Sequence, residues 1–253
     1  MDGYTSATYG DAIADIYDEP GQCPPDAEEA ARFLYETGCS GSRRRPRILE
    51  FGIGTGRIAL PLADLGCEVT GVDSSPAMLE KCAAADTRGR IRLIHDTMES
   101  VDAGHSDFDV VFAAYNTLFL ALTQEAQIRA FANARRHLAP GGKFVVQALV
   151  PDPASFTGNQ RIRVYDLQKD LVDLDVTLHD PVRQTLVNQY LIVRPERTEF
   201  RPSKLRYAWP SELDLMARLS GLRLEHRYAS WQRTPLTAGS PDHVSVYHVP
   251  DGD

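Results

Sequence analysis

The chain has 253 residues, a length that suits one α/β domain. With 43% hydrophobic and 25% charged residues it has the make-up of an ordinary globular protein. A net charge of −8, from 27 basic and 35 acidic side chains, argues against a nucleic-acid backbone as the main partner, and the absence of any run of about 18 apolar residues argues against a membrane span. The first ten residues are polar and lack an apolar signal core, so a cytoplasmic location is expected. Cys23, Cys39, Cys67 and Cys82 have neither C-x-x-C nor metal-type spacing, which fits reduced thiols.

In chain order, apolar positions at Ile13, Ile16 and Tyr17 predict a helix over residues 9–17. A second helix is expected over 26–36, with Pro24-Pro25 before it and Gly38 after it. A polar, basic connector covers 40–46. Apolar strands are then expected at 47–51, 68–73, 91–94, 108–114 and 143–149, alternating with helices at 57–65, 76–85 and 124–138. Pro140-Gly141-Gly142 marks a stop and turn before the fifth strand. Such alternation means βαβ units and a parallel sheet covered on both faces. After Val150 the rhythm changes to antiparallel strands at 161–167, 172–179, 183–193 and 204–207. A helix at 211–220 and strands at 222–227 and 244–249 complete the chain. Residues 155–208 are too many for a bare loop, so they should form a structured insertion at the carboxyl end of the sheet, where ligands bind.

The glycine run directly after the first strand is the most informative segment. Gly52-Ile53-Gly54-Thr55-Gly56 follows Ile48-Leu49-Glu50-Phe51, so a buried strand turns sharply and brings bare backbone close to a ligand. The third position of a dinucleotide fingerprint is Arg57, not glycine, which weighs against a nicotinamide oxidoreductase. Glu50 ends the strand with a carboxylate, and a carboxylate there suits a ligand carrying an ammonium. Asp73 closes the second strand, 21 residues after Gly52, where an acid can accept ribose hydroxyls; Ser74 and Ser75 are better placed to cap the following helix.

Glu-x-Gly-x-Gly-x-Gly after a strand resembles the pattern of class I S-adenosylmethionine (SAM) methyltransferases. The resemblance extends through Val72-Asp73-Ser74-Ser75-Pro76-Ala77-Met78-Leu79, Asn116-Thr117-Leu118-Phe119-Leu120, His137-Leu138-Ala139-Pro140-Gly141-Gly142 and Trp209-Pro210-Ser211-Glu212-Leu213. The Asn-Thr-Leu-Phe block and the last helix are similar to bacterial natural-product enzymes, such as peptide N-terminal α-N-methyltransferases and amino-sugar N-methyltransferases. It implies a Rossmann-like, seven-stranded α/β sheet with helices on both faces and an antiparallel β insertion forming a lid after the fifth strand. One domain would comprise a helical cap (1–45), a SAM-binding core (46–150), a substrate lid (151–208) and a closing segment (209–253).

For the cofactor, the resemblance implies Tyr17, Glu50, Gly52, Gly54, Gly56, Arg57, Asp73, Ser74, Met78, Asp96, Thr97, Met98, Ala114 and Tyr115. Asp96 and the backbone beside it would read the adenine edge, with Met98 either on the adenine face or in the core. Tyr17 would contact the methionine end, and Tyr115 would stabilise the sulfonium by a cation–π contact. Asn116 either accepts from an amine, holds the methionine part, or caps the next turn. For catalysis the candidates are Tyr17, Tyr115, Asn116 and His243, the last as a general base at the pocket rim unless it is structural. For the substrate they are Tyr9, Tyr190, Arg206, Trp209 and Trp231, each with ordinary packing or a solvated surface as the alternative. His95 reads as structural, and the scattered histidines give no metal-ligand spacing.

Methyl transfer from a sulfonium is an in-line displacement that needs proximity and a dry site. The expected activity is therefore SAM-dependent methylation of a small-molecule or short-peptide acceptor, at an amine nitrogen, yielding S-adenosylhomocysteine. The alternatives are C- or O-methylation of an indole or phenol, a nicotinamide oxidoreductase, and a non-catalytic SAM-fold protein.

Overall fold

The computed structural model describes residues 3–19, 24–39 and 45–250, so Cys23 and most of the expected 40–46 connector lie outside the described residues. The near-continuous apolar runs form β1 (Arg47–Phe51), β2 (Glu68–Asp73), β3 (Ile91–His95), β4 (Phe108–Ala113) and β5 (Leu138–Leu149), all parallel. Strands covered on both faces read this way because neither face meets water. β10 (Arg223–Tyr228) and β11 (Asp242–His248) add antiparallel, giving a seven-stranded sheet in the order β10-β11-β5-β4-β1-β2-β3.

The period of two divides each central strand between two cores. Val111 and Ala113 pack with α5 (Gln124–His137) and α6 (Pro210–Leu219), where Phe131 meets Phe144 and Tyr247 edge-on at 5.0 and 5.5 Å. Val110 and Phe112 pack on the other face, with α2 (Ala27–Cys39) and α3 (Ala59–Asp64). Each fully buried large apolar side chain contributes about 1.5–3 kcal/mol. α4 (Pro76–Ala85) starts on Pro76, capped by Ser75, whose hydroxyl accepts from Met78 N at 3.2 Å.

The insertion is a separate four-stranded antiparallel sheet, β6 (Gln160–Gln168), β7 (Leu171–Asp180), β8 (Thr185–Val193) and β9 (Thr198–Arg206). Its amphipathicity is reversed. On β7 the buried residues are Asp175, Thr177 and His179, whereas Leu178 is exposed, as are Ile162 and Val164 on β6 and Phe200 on β9. The polar face is turned inward, against α1 (Thr8–Ile13) and the carboxyl ends of the large sheet. Among the described residues no helix is long and apolar enough to cross a membrane.

Among the boundaries that differ from the sequence reading, α2 runs on through Gly38 to Cys39, and four more have a structural cause. α1 ends at Ile13 and continues as turns, not as helix through Tyr17. α3 begins at Ala59, because the glycine turn occupies the chain before it. Pro140-Gly141-Gly142 does not precede β5 but bulges within it: between Phe108↔Leu138 and Val110↔Lys143, β4 advances two residues and β5 five, with Gly141 at φ +76°. β9 starts six residues before the expected strand and contains Pro202, which an edge strand tolerates because one side needs no N–H.

Candidate active site

At the carboxyl ends of β1, β2 and β4 lies an open cleft of about 1030 Å³. Gly52 and Gly54 line it at φ +71° and +56°; Gly52 N donates to Val72 O at 2.7 Å, and a Cβ on Gly52 would collide with the Thr117 methyl. Gly56, at φ +86°, does not line the cleft; a Cβ on it would meet Cys82 Sγ at 2.7 Å, so its smallness serves packing against α4.

Asp73, at the end of β2, braces the turn. Its carboxylate accepts from Gly54 N at 2.8 Å and from Ser75 N at 2.9 Å. Burial raises its pKa, and those two N–H groups offset part of that rise. Asp96 is held similarly, one oxygen accepting from Thr97 N and Ser100 Oγ, each at 2.7 Å. Glu50 is 4% exposed, has an unpartnered Oε2, and carries a pKa well above the usual carboxylate value because of burial and the nearby Asp73, which Arg57 counteracts.

Arg57 forms the opposite wall. Its Nη1 donates to Pro24 O at 2.7 Å, its guanidinium carbon lies 4.1 Å from the Tyr115 ring centre, and its Nε and Nη2 are buried without partners. Tyr115 donates to Asp26 at 2.7 Å, and burial pushes its phenol pKa up. Tyr115 and Asn116 both adopt left-handed backbone, φ +50° and +67°, the only consecutive non-glycine pair of this kind among the described residues. Such strain concentrates where a fold aims residues at a ligand.

The N-terminal segment closes the cleft with polar clips. Ser75 Oγ donates to Asp11 at 2.5 Å, Thr55 Oγ1 to Asp18 at 2.8 Å, and Lys81 pairs with Asp15 at 2.8 Å. Tyr9, Gly10 and Tyr17 thereby line the cleft. Of the residues expected at the cofactor, Tyr17, Gly52, Gly54, Arg57, Asp73, Ser74, Met78, Asp96, Thr97, Met98 and Tyr115 line this one cleft. Glu50 and Ala114 lie buried behind it.

Several expectations need correction. His243 is not at a rim: it sits fully buried in β11, bonded to Ser245 Oγ at 2.8 Å, and burial with the nearby Arg227 pushes its pKa down to about 4. Asn116 spends its amide oxygen on Leu149 N at 2.8 Å, locking the end of β4 to β5, and does not line the cleft. Arg206 is a structural cation, 8% exposed and tied to Glu212 at 2.7 Å and Gln127 at 2.6 Å. Trp231 packs under α2 against Phe33 at 5.5 Å. Trp209 is the exposed N-cap of α6 and packs edge-on against Tyr207. Tyr190 lines not the cleft but a second cavity, with Tyr9, Tyr17, Asn188, Arg201 and Ser203.

Sequence reasoning missed Gly10 and Thr117, whose smallness lets chain segments approach the glycine turn, and Arg201, whose position opposite Tyr190 on β9 was the available signal.

Residues 48–142 match the family described as "Methyltransferase domain". The chain is 31% identical over 208 residues to the cypemycin N-terminal methyltransferase of Streptomyces sp, covering 79% of this chain and 81% of that protein. It is similar to the structure of the CcbJ methyltransferase from Streptomyces caelestis, with 43% identity, a TM-score of 0.90 and coverage of 98% and 100%. A SAM-dependent methyltransferase from Clostridium acetobutylicum shares the fold at 14% identity, with a TM-score of 0.80 and coverage of 94% and 98%. With the glycine turn, Asp73 and Asp96 gathered at one cleft, and with relatives matched over most of their length, the chain belongs to the class I SAM-dependent methyltransferases.

Proposed function

We propose that this enzyme transfers the methyl group of SAM to an amine nitrogen of a small-molecule or short-peptide acceptor in natural-product biosynthesis. The observation that carries the nitrogen assignment is the likeness to the cypemycin N-terminal methyltransferase over 81% of that relative's length. The lining of the cleft supports it: it includes carboxylates and tyrosines, and among the described residues that line it there is no histidine. A phenol or hydroxyl acceptor needs a base with a pKa near neutrality, whereas an amine becomes a nucleophile once desolvated and deprotonated.

The residues present fit SAM. The unpartnered Glu50 Oε2 suits an ammonium reached through the glycine turn, and the unpartnered Arg57 Nε and Nη2 suit a carboxylate. Asp73 would take the ribose hydroxyls, and Asp96, Thr97 and Met98 the adenine. When bound, SAM supplies a sulfonium whose methyl is open to in-line attack. Tyr17 and Tyr115 would present ring faces to that positive charge, and Arg57 lies against the same Tyr115 ring. The N-terminal segment and Leu120 would exclude water, so the amine meets the methyl in a dry, aligned pair.

The test is turnover of purified enzyme with SAM and a panel of primary amines, phenols and indoles, with products mapped by mass spectrometry. N-methyl products with S-adenosylhomocysteine are expected. Methyl found only on oxygen or carbon would overturn the nitrogen assignment.

A further inference from the structure

On the inward polar face of the small sheet, Arg201 is a cation whose hydrogen-bonding capacity is not filled. Arg201 on β9 is 10% exposed, and its Nη2 pairs with Glu199 at 3.0 Å. The other oxygen of Glu199 already serves Arg194 at 3.2 Å and Arg197 at 2.5 Å, so three cations share one carboxylate. Arg201 Nη1 is buried with no hydrogen-bond partner. Its cross-strand neighbour Tyr190 stacks with it, the guanidinium carbon lying 5.6 Å from the ring centre. A charge removed from water with a donor unfilled is costly, and a ligand oxygen would repair it.

The same guanidinium lines the second cavity, of about 610 Å³, beside Tyr190, Asn188 and Ser203. Tyr9 and Tyr17 form its far wall and also line the cofactor cleft, so the two spaces share a boundary. We propose that this cavity receives the non-reacting end of the acceptor, and that Arg201 Nη1 donates there to a carboxylate or carboxamide oxygen of the acceptor. The acceptor class is then an amine that carries such an oxygen on the same skeleton. This rests on the amine-methylation reading and narrows it. Arg201 is a specificity residue, since no reacting atom touches it.

L-Tyrosine, L-tyrosinamide and tyramine separate the two ideas, because they share an amine and a phenol and differ only in the oxygen-bearing group. The measurements are kcat and KM with SAM, the site of methylation by mass spectrometry, and SAM affinity by titration calorimetry. The wild type should show kcat/KM for tyrosine or tyrosinamide about tenfold or more above tyramine, the share a charge-assisted hydrogen bond supplies. Preference for tyrosine over tyrosinamide identifies a carboxylate; equal use of both identifies a carbonyl. In Arg201→Gln that preference should fall toward unity through KM, with SAM affinity kept as the sign of an intact fold. Arg201→Lys, which keeps the charge but loses the fork, should show an intermediate preference if the Gln variant does not fold. Equal use of all three compounds by the wild type, no binding or turnover of any, or an undiminished preference in both variants overturns the proposal. Methylation at the phenol with the Arg201 dependence intact would instead overturn the nitrogen assignment alone.

Discussion

Gly54→Ala separates the cost of the glycine turn to the fold from its cost to the ligand. Gly54 sits at φ +56°, and the nearest heavy atom to an added Cβ is Tyr17 Cε1 at 3.9 Å, an ordinary contact. The protein itself therefore has room for the methyl. The remaining cost is that of holding an L-residue in left-handed backbone, about 1–2 kcal/mol. In a chain of this size each kcal/mol lowers Tm by about 2–4 °C, so a fall of about 5 °C is expected. The same methyl projects into the cleft that SAM is proposed to fill. At a SAM concentration of about 100 times Kd, the wild type gains about 2.7 kcal/mol, a rise of roughly 8 °C. Melting curves with and without SAM, backed by calorimetric titration, read both effects. The variant should melt slightly below the wild type without ligand and should not rise with SAM. A rise equal to that of the wild type would refute the placement of this glycine against the cofactor, and wholesale unfolding would refute the steric argument. Gly52→Ala should instead lose stability outright, because its Cβ collides with Thr117.

Asp73→Asn should lower SAM affinity about tenfold or more and also lower stability by about 1–3 kcal/mol, since one of the two N–H groups now held by the carboxylate would face an amide N–H₂; calorimetry and melting curves check the two separately. Glu50 keeps its proton when folded at pH values where the unfolded chain has lost it, so ligand-free stability falls as pH rises above about 4.5 toward the raised pKa. Glu50→Gln should flatten that slope, melting above the wild type near pH 7.5 and level with it near pH 4, while weakening SAM binding. His243 behaves oppositely: the unfolded chain takes its proton from pH 6.5 downward while the folded chain resists until about 4, so stability is lost as pH falls through that window. His243→Asn should remove about 3 kcal/mol of that acid-side loss, seen as a shallower dependence of Tm on pH below about 6.5.

The parallel core was legible because its strands are short apolar runs, the first three of them closed by glycine or a carboxylate (Gly52, Asp73 and Asp96), and both signals are local. Glu50, Gly52, Gly54 and Asp73 could be placed for the same reason: the fold puts strand ends together, and these residues stand at strand ends. The acceptor side was not legible. Tyr190, Trp209, Trp231, Arg206 and His243 were chosen by residue type, and type does not say which face of a strand a residue occupies or what already pairs with it. Arg206 and Arg201 lie five residues apart on one edge strand, yet one is filled by Glu212 and Gln127 and the other has an open donor. The reversed small sheet added to the difficulty, because alternation alone assigns the apolar face to the interior, and here Leu178 and Phe200 face outward.

The small sheet departs from the chain after Leu149 and returns at Arg206, while β5 pairs directly with β11 across the gap. No ladder hydrogen bond of the seven-stranded sheet runs through it. Both junctions are fastened to the core, Val150 N to Pro241 O at 2.7 Å and Arg206 to Gln127 and Glu212. The consequence is modular within one limit: a different segment spliced between the same two moorings would keep the strand-end side of the methyl donor site and bring its own choice of acceptor, so long as it also packs on α1 and the wall formed by Tyr9 and Tyr17. Chimeras cut at Val150 and Tyr207 are the natural units for redirecting the enzyme.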